Sequence, residues 1–155
     1  MDVDGTLTDG KIYMSNTGEF CKAFNIKDGC GINDILTQAG IIPVIITARF
    51  SEIVTKRCKE IGITEIYQGV LDKQNQLLKI ISDLSEVAYI GDDINDLLCM
   101  QIVKDAGGKI GCPADAVNKV KVIADYVAVH NGGDGAVREF IEWLVELETN
   151  DFAKT

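Results

Sequence analysis

The chain is predicted to fold as an α/β domain in which helices cover both faces of a parallel sheet. Short apolar runs rich in β-branched residues alternate along the chain with amphipathic segments of helical periodicity. This alternation is typical of a parallel sheet with helices on both faces. The length of 155 residues fits one domain, so we expect a single domain over residues 1–155.

The first half of the chain is predicted to begin with a hairpin. Residues 11–15 and 19–26 flank the turn-forming Asn16-Thr17-Gly18, and polar and apolar residues partly alternate on both sides. Gly40 fits a helix stop and Ser51 fits a helix N-cap. After the hairpin, we predict helices over 30–39 and 51–61 and strands over 41–46 and 66–70.

The second half of the chain continues the same alternation. We predict helices over 73–82, 95–103, 114–122 and 136–148, and strands over 87–90, 107–111 and 126–129. The final helix is amphipathic, with an apolar face directed at the core. The glycine-rich segment 132–135 before it is predicted to be a flexible turn.

Only one residue, Met1, precedes the acidic motif that begins at Asp2. A sheet of this kind normally has a full strand before an acidic motif of its first strand. We therefore expect the first strand to be truncated at its N-terminal end in this sequence.

Composition and charge exclude some classes of function. The net charge of −9 argues against a sequence-independent nucleic-acid binder, which needs a basic face. No apolar stretch approaches the roughly 20 residues of a membrane helix, so we expect no membrane partner. Five cysteines without a Cys-x-x-Cys pair favour reduced thiols and a cytoplasmic protein.

Two acidic clusters stand where apolar runs end. Asp2-Val3-Asp4-Gly5-Thr6 is at the start of the chain, and Gly91-Asp92-Asp93-Ile94-Asn95-Asp96 follows the strand predicted over 87–90. Because the carboxyl ends of parallel strands meet at one edge of a sheet, we expect both clusters to line one crevice with Thr47. Carboxylates suit Mg²⁺, which lets a carboxylate approach a phosphate. The sequence therefore predicts a magnesium site at which a carboxylate attacks phosphorus.

The residue types in these clusters predict distinct roles. Asp2 can act as a metal ligand and as the nucleophile that forms an aspartyl-phosphate, while Asp4 on the same face can act as acid and base. Thr47 can donate its hydroxyl to the phosphoryl group, and Lys73 can neutralise charge shared by phosphate and nucleophile. The candidate metal ligands are Asp2, Asp4 and Asp92, and the residues expected to orient them are Asp93 and Asp96.

In this order, the motifs resemble those of the haloacid dehalogenase (HAD) superfamily over nearly the whole chain. The resemblance rests on Asp-x-Asp-Gly-Thr at 2–6, on Thr47, on Lys73 and on the cluster at 91–96. The finer pattern is similar to the capless subgroup that includes 3-deoxy-D-manno-octulosonate 8-phosphate (Kdo-8-phosphate) phosphatases. The segments that carry it are 2–10, Phe24-Asn25-Ile26-Lys27-Asp28-Gly29, Gln68-Gly69, Asp72-Lys73 and Gly132-Gly133-Asp134-Gly135-Ala136-Val137-Arg138-Glu139.

The resemblance implies a three-layer Rossmann-like HAD fold without a cap domain, with a β-hairpin flap after the first strand. It implies a Mg²⁺-dependent phosphatase whose substrate is a phosphorylated 2-keto-3-deoxy sugar acid. It also implies a homotetramer in which a β-hairpin or tail of a neighbouring subunit closes the active site. In this chain the hairpin would be residues 11–26, and the tail would include the turn at 132–135. By matching position, the substrate-binding residues would be Asn25, Lys27, Asp28, Gly29, Arg49, Arg57, Lys73 and Arg138.

Two departures from the subgroup pattern leave alternatives open. Ala48 stands where a glycine usually follows the threonine, and Asn33 stands where the helix often carries a basic residue. Losing a cation that pairs with a carboxylate would favour a nonulosonate 9-phosphate of sialic-acid type. A non-catalytic HAD-like oligomerisation domain associated with a sugar-nucleotide synthetase is the alternative from another class. Such a domain should lack a motif carboxylate or the lysine, and this chain has them all.

Overall fold

The computed structural model describes residues 1–152 and confirms the α/β architecture. Two groups of parallel strands are present. In the first, β3 (Val44–Ile46) pairs with β4 (Glu65–Tyr67). In the second, β5 (Ala88–Ile90), β6 (Lys109–Cys112) and β7 (Tyr126–Val127) pair in that order.

The first two residues join these groups of strands. The Met1 amino group donates to the Val44 carbonyl at 2.8 Å, and the Ile46 N–H donates to the Met1 carbonyl at 3.0 Å. On the other side, the Asp2 N–H donates to the Ile90 carbonyl at 3.1 Å. The backbone of Met1 and Asp2 thus takes a strand position between β3 and β5, which places Asp2 at the centre of the sheet. The truncation of this strand stays a prediction.

Helices form a layer on each face of the sheet. One layer contains the helical segment 26–39, α3 (Glu52–Glu60) and α7 (Ala136–Phe152); the other contains α4 (Lys73–Ile80), α5 (Leu97–Asp105) and α6 (Asn118–Ile123). Successive strand residues point to opposite faces. Accordingly, Ile45 and Ile90 belong to the first core, whereas Ile46 and Tyr89 belong to the second.

The helical segment 26–39 begins four residues earlier than the prediction of 30–39. It comprises α1 (Ile26–Cys30), a π-helical stretch (Gly31–Leu36) and α2 (Thr37–Ala39). The Asn25 side chain caps its start by accepting a hydrogen bond from the Lys27 N–H at 2.8 Å. The apolar periodicity begins only at Ile32, so the cap was the sole signal of the earlier start. Gly40, with φ of 71°, ends the segment as predicted.

The hairpin is present but shorter than predicted. Its strands are β1 (Tyr13–Ser15) and β2 (Gly18–Cys21), which pair antiparallel. The other predicted helices and strands begin and end within four residues of their predicted bounds, and a short 3₁₀ helix at Leu84–Glu86 was not predicted. Among residues 1–152, no helix combines the length and apolar character needed to cross a membrane.

Candidate active site

The predicted acidic clusters meet at the carboxyl ends of the central strands. They line a cavity of about 280 Å³ at this edge of the sheet. The lining residues are Asp2, Asp4, Gly10, Thr47, Ala48, Arg49, Asp92, Asp93 and Asn95. Residues far apart in the sequence therefore share one crevice, as strand order requires.

Lys73 lies behind Asp2 with only 1% of its side chain exposed. Its Nζ is 2.9 Å from Asp2 Oδ1 and 2.8 Å from Asp96 Oδ1. Burial by itself would lower the pKa of Lys73, but the charges of Asp2 and Asp96 outweigh burial and raise that pKa above its ordinary value. The ammonium therefore stays charged beside the candidate nucleophile.

Asp96 supports this site from behind. Its Oδ1 accepts hydrogen bonds from Lys73 and from the Tyr89 hydroxyl, both at 2.8 Å. Its Oδ2 accepts from the backbone N–H groups of Asp92 and Asp93 at 3.2 and 3.4 Å. With both oxygens engaged and the side chain fully buried, Asp96 suits the orienting role predicted for it. Asp93 is exposed and caps Ile94 N–H with its own carboxylate.

The donor set around Asp2 fits a hard dication. Carboxylate oxygens of Asp2, Asp92 and Asp96 lie within 4.8 Å of one another. Because the oxygens of Asp96 are already bonded, Asp2 and Asp92 are the better ligands. Asp2 Oδ1 is buried and makes no hydrogen bond of normal geometry, although Lys73 is near. Burial, followed by the charge of Asp2, raises the pKa of Asp92 to about 7. Bound Mg²⁺ would accept the buried oxygen of Asp2 as a ligand and would lower the pKa of Asp92.

Asp4 lies in the cavity but outside that carboxylate cluster. Its Oδ1 pairs with the Lys22 ammonium, and its Oδ2 is 3.8 Å from Arg49 Nε. Asp4 as a metal ligand therefore stays a prediction. Lys22 and its second partner, Glu19, were not anticipated as site residues. An acidic and a basic residue three positions apart, one on a hairpin strand and one just after it, are too common a pattern to have identified them.

The loop that carries Asp2 and Asp4 depends on close packing of glycines. Gly5 has a φ of 93°, and a Cβ there would lie 2.0 Å from Asp92 Oδ2, so only glycine fits. A Cβ on Gly132 would lie 1.9 Å from the Gly5 carbonyl oxygen, and the Gly133 N–H donates to the Thr6 carbonyl at 3.1 Å. The turn over 132–135 is thus packed on the acidic loop of its own chain. The sequence predicted a flexible turn here but did not predict this contact.

Of the substrate-binding residues implied by the resemblance, Arg49 lines the cavity and Lys73 lies behind it. Arg49 is half-exposed, and its guanidinium also contacts Glu19 Oε1 at 3.4 Å. Lys27 and Arg138 line a separate surface cavity of about 460 Å³ beside the start of α7. Their predicted contact with the substrate therefore has no counterpart around Asp2 of the same chain, and it stays a prediction.

The remaining matched residues form local contacts. Asn25 caps α1, and a Cβ on Gly29 would lie 2.5 Å from Arg57 Nη2, so that glycine makes room for the arginine. Arg57 pairs with Glu60 at 2.9 Å. Their roles toward substrate also stay predictions.

Asp28 is buried and positions the start of α7. It is 1% exposed, and its Oδ1 accepts a hydrogen bond from the Arg138 N–H at 2.8 Å. Burial raises the pKa of Asp28 above its ordinary value. A buried carboxylate at a helix N-terminus stabilises the helix, so this side chain has a structural role within the chain, and its contact with substrate stays a prediction.

Known proteins resemble this chain in sequence and in structure, although no family model matches it. It is 44% identical over 153 residues to the 3-deoxy-D-manno-octulosonate 8-phosphate phosphatase KdsC of Escherichia coli (strain K12), covering 94% of this chain and 77% of that protein. The corresponding protein of Yersinia pestis is 40% identical over 148 residues, covering 93% of this chain and 76% of that protein.

Solved structures show the same likeness. The 3-deoxy-D-manno-octulosonate 8-phosphate phosphatase of Moraxella catarrhalis, in complex with magnesium ion, phosphate ion and KDO, has a TM-score of 0.88 and 39% identity, and the match covers 99% of this chain and 87% of that chain. A putative HAD family hydrolase from Streptomyces avermitilis MA-4680 has a TM-score of 0.83 and 29% identity, covering 92% of this chain and 80% of that chain.

Proposed function

This chain belongs to the 3-deoxy-D-manno-octulosonate 8-phosphate phosphatase family of the HAD superfamily, and from that premise we propose that it hydrolyses Kdo-8-phosphate with Mg²⁺ as cofactor. The observation that carries the proposal is the buried pair Asp2 and Lys73 beside Asp92, with the carboxylate of Asp2 in a cluster that fits a dication. The 44% identity to a Kdo-8-phosphate phosphatase supports the choice of substrate.

The reaction begins with Asp2 as the nucleophile. A carboxylate oxygen of Asp2 bonds to phosphorus as the bond from phosphorus to the sugar oxygen breaks, which forms an aspartyl-phosphate. Asp4 gives its proton to the departing sugar alkoxide, and Thr47 donates its hydroxyl to the phosphoryl group. Asp2 and Asp92 would hold Mg²⁺, which when bound would offset the repulsion between carboxylate and phosphate. Lys73 adds a fixed positive charge beside Asp2.

The second half of the reaction returns the enzyme to its starting state. Water bonds to phosphorus, the bond between phosphorus and Asp2 breaks, and Asp4 takes the proton of the water. The products are inorganic phosphate and the free sugar acid. Asp4 thus acts as acid in one half-reaction and as base in the other.

Phosphate release tests this proposal. We expect Mg²⁺-dependent release from Kdo-8-phosphate that exceeds release from N-acetylneuraminate 9-phosphate. Asp2→Asn, which keeps the shape but removes the nucleophile, should lower the rate by about 10⁴-fold or more. Faster turnover of the 9-phosphate would favour the sialic-acid alternative. No turnover of either substrate by folded protein would favour the non-catalytic oligomerisation domain.

We also propose a homotetramer in which a neighbour completes each active site. Lys27 and Arg138 line a cavity apart from Asp2, so a substrate contact by them would involve another subunit. Two large apolar side chains of the hairpin, Met14 and Phe20, are 62% and 73% exposed, as a subunit contact would require. Sedimentation would report the tetramer, and hybrids of Asp2→Asn and Arg138→Ala subunits should be more active than either variant. Hybrids no more active than the parents would place each site within one chain.

We propose a cytoplasmic location for the enzyme. The cysteines Cys21, Cys30, Cys58, Cys99 and Cys112 are free thiols. Free thiols fit a reducing compartment, where disulfides are rare. Fractionation of cells that express the protein would test this, with recovery in an oxidising compartment as the contrary result.

A further inference from the structure

The side chain of Lys22 is as little exposed as that of Lys73, although Lys22 stands just after a short hairpin strand and is only partly buried as a whole residue. Its side chain is 1% exposed. Its ammonium pairs with Asp4 Oδ1 and lies 3.0 Å from Glu19 Oε1. A lysine is almost never fully buried unless its charge is paired, because removing an ammonium from water is costly. Two carboxylates therefore hold the Lys22 ammonium in one place.

Glu19 connects this lysine to the loop after β3. Besides Lys22, it accepts hydrogen bonds from the Ser51 hydroxyl and from Arg49 Nη2. Ser51 stands at the N-cap position of α3, yet its hydroxyl caps no backbone N–H and is directed at Glu19 instead. The hairpin therefore contacts the loop at the edge of the cavity through Ser51, whose hydroxyl would ordinarily cap the start of α3.

From this geometry we propose that Lys22, fixed by Glu19, is a positioning residue for Asp4. The inference rests on the proposed phosphatase function and deepens it. Lys22 contacts Asp4 and acts through it. Without Lys22, the cation left near Asp4 is Arg49, at 3.8 Å and itself half-exposed. The Asp4 carboxylate would then turn away from the reacting water, and small errors of placement cost large factors in rate.

The half-reaction that depends on this placement is hydrolysis of the aspartyl-phosphate. Water bonds to phosphorus, the Asp2–phosphorus bond breaks, and the water proton passes to Asp4. Formation of the aspartyl-phosphate from 4-nitrophenyl phosphate needs no proton from Asp4, because nitrophenolate is a stable leaving group. With this substrate, loss of Asp4 positioning slows the second half-reaction and leaves the first intact.

Stopped-flow measurement of nitrophenolate release with Mg²⁺ present tests the proposal. For Lys22→Met we expect a burst of about one equivalent per active site, followed by steady-state turnover about 10²-fold slower than the parent. Lys22→Arg should restore part of the rate, because it keeps the charge. The matched control is Lys11→Met, which removes an exposed lysine of the same hairpin segment, 3.6 Å from Asp9. It should match the parent.

The proposal would be overturned if Lys22→Met slowed the burst rate and the steady-state rate equally. It would also be overturned if Lys22→Met turned over as fast as the parent. If Lys22→Met does not fold, Glu19→Gln replaces it, because it releases Lys22 without leaving a buried unpaired amine. Glu19→Gln should show the same burst with a smaller decrease in steady-state turnover. Absence of the burst in Glu19→Gln would also contradict the proposal. Failure of the parent itself to release nitrophenolate or sugar would instead count against the phosphatase function.

Discussion

On each of the two sides of the active site, a lysine lies between two carboxylates, but the two sides belong to different parts of the fold. On the core side, Lys73 bridges Asp2 and Asp96; on the hairpin side, Lys22 bridges Asp4 and Glu19. Both lysine side chains are 1% exposed. In each case one carboxylate belongs to the loop that carries Asp2 and Asp4, and the other also pairs with the lysine.

The two sides differ in their burial. The side chains of Asp2 and Asp96 are 6% and 0% exposed; Asp2 pairs with β5 at the centre of the sheet, and Asp96 stands at the start of α5. Asp4 and Glu19 are each 17% exposed, and the hairpin that carries Glu19 has strands of three and four residues. Charges interact more strongly where water is excluded. We therefore expect the core side to contribute more to stability and the hairpin side to orient one carboxylate, Asp4.

The largest expected effect is on the core side. Lys73→Met leaves Asp2 and Asp96 buried without their cation, which should lower the free energy of unfolding by about 3–5 kcal/mol. Activity should fall by about 10²–10³-fold, because a fixed charge at the phosphoryl group is lost. Urea denaturation and phosphate release measure the two effects, and Lys79→Met, an exposed lysine of the same helix, is the control. An equal loss of stability in Lys22→Met would remove the distinction between the two sides.

A second prediction concerns the loop that both sides share. In Gly132→Ala the new Cβ would lie 1.9 Å from the Gly5 carbonyl oxygen, so the loop with Asp2 and Asp4 must shift. We expect a loss of about 1–3 kcal/mol in the free energy of unfolding and at least a tenfold loss of activity. The control is Gly107→Ala, where φ is 93° but no atom lies within 4 Å. It should lower stability without changing turnover, and the same result for Gly132→Ala would contradict the prediction.

The third prediction concerns pH on the core side. Burial and the charge of Asp2 raise the pKa of Asp92 to about 7, above its unfolded value of about 3.9. Between these pH values the metal-free folded protein binds more protons than the unfolded chain. The contribution of Asp92 to stability therefore falls as pH rises through this window.

Magnesium binding should have the opposite pH dependence, because it requires the ionised carboxylate. The apparent affinity should rise by up to about tenfold per pH unit below about 7 and level off above it. Calorimetric titration of Mg²⁺ at about pH 5.5, 6.5 and 7.5 measures this. An affinity that is constant over this range would show that Asp92 is already ionised without the metal.

The smallest expected effects come from the hydroxyl donors that complete each side. Tyr89→Phe removes a donor to the fully buried Asp96, and Ser51→Ala removes a donor to the partly exposed Glu19. Each should cost about 0.5–1.5 kcal/mol or somewhat more, because the acceptor is charged. Urea denaturation should rank Tyr89→Phe as the larger loss. The reverse ranking would contradict the assignment of greater electrostatic stabilisation to the core side.

Local signals predicted much of the fold and the core side of the site. Apolar runs located the strands, and the residues that end them, Thr47 and Asp92, lie at the cavity as expected. Lys73, which the sequence predicts to neutralise charge beside the nucleophile, lies 2.9 Å from Asp2 Oδ1; its role stays a prediction. Lys22 carried no signal of function, because it follows a strand at a position where a lysine is unremarkable.

By itself the sequence determined which residues end the strands, where the hairpin and most helices lie, and which residue types can hold Mg²⁺ and attack phosphorus. These properties follow from periodicity and from the chemistry of single side chains. Only the tertiary structure decided that Lys22 pairs with Asp4, that Asp28 is buried at the start of α7, and that Gly132 packs on Gly5. Each of these contacts joins elements whose relative placement depends on packing of the whole sheet and its two helical layers, and no local pattern records that placement.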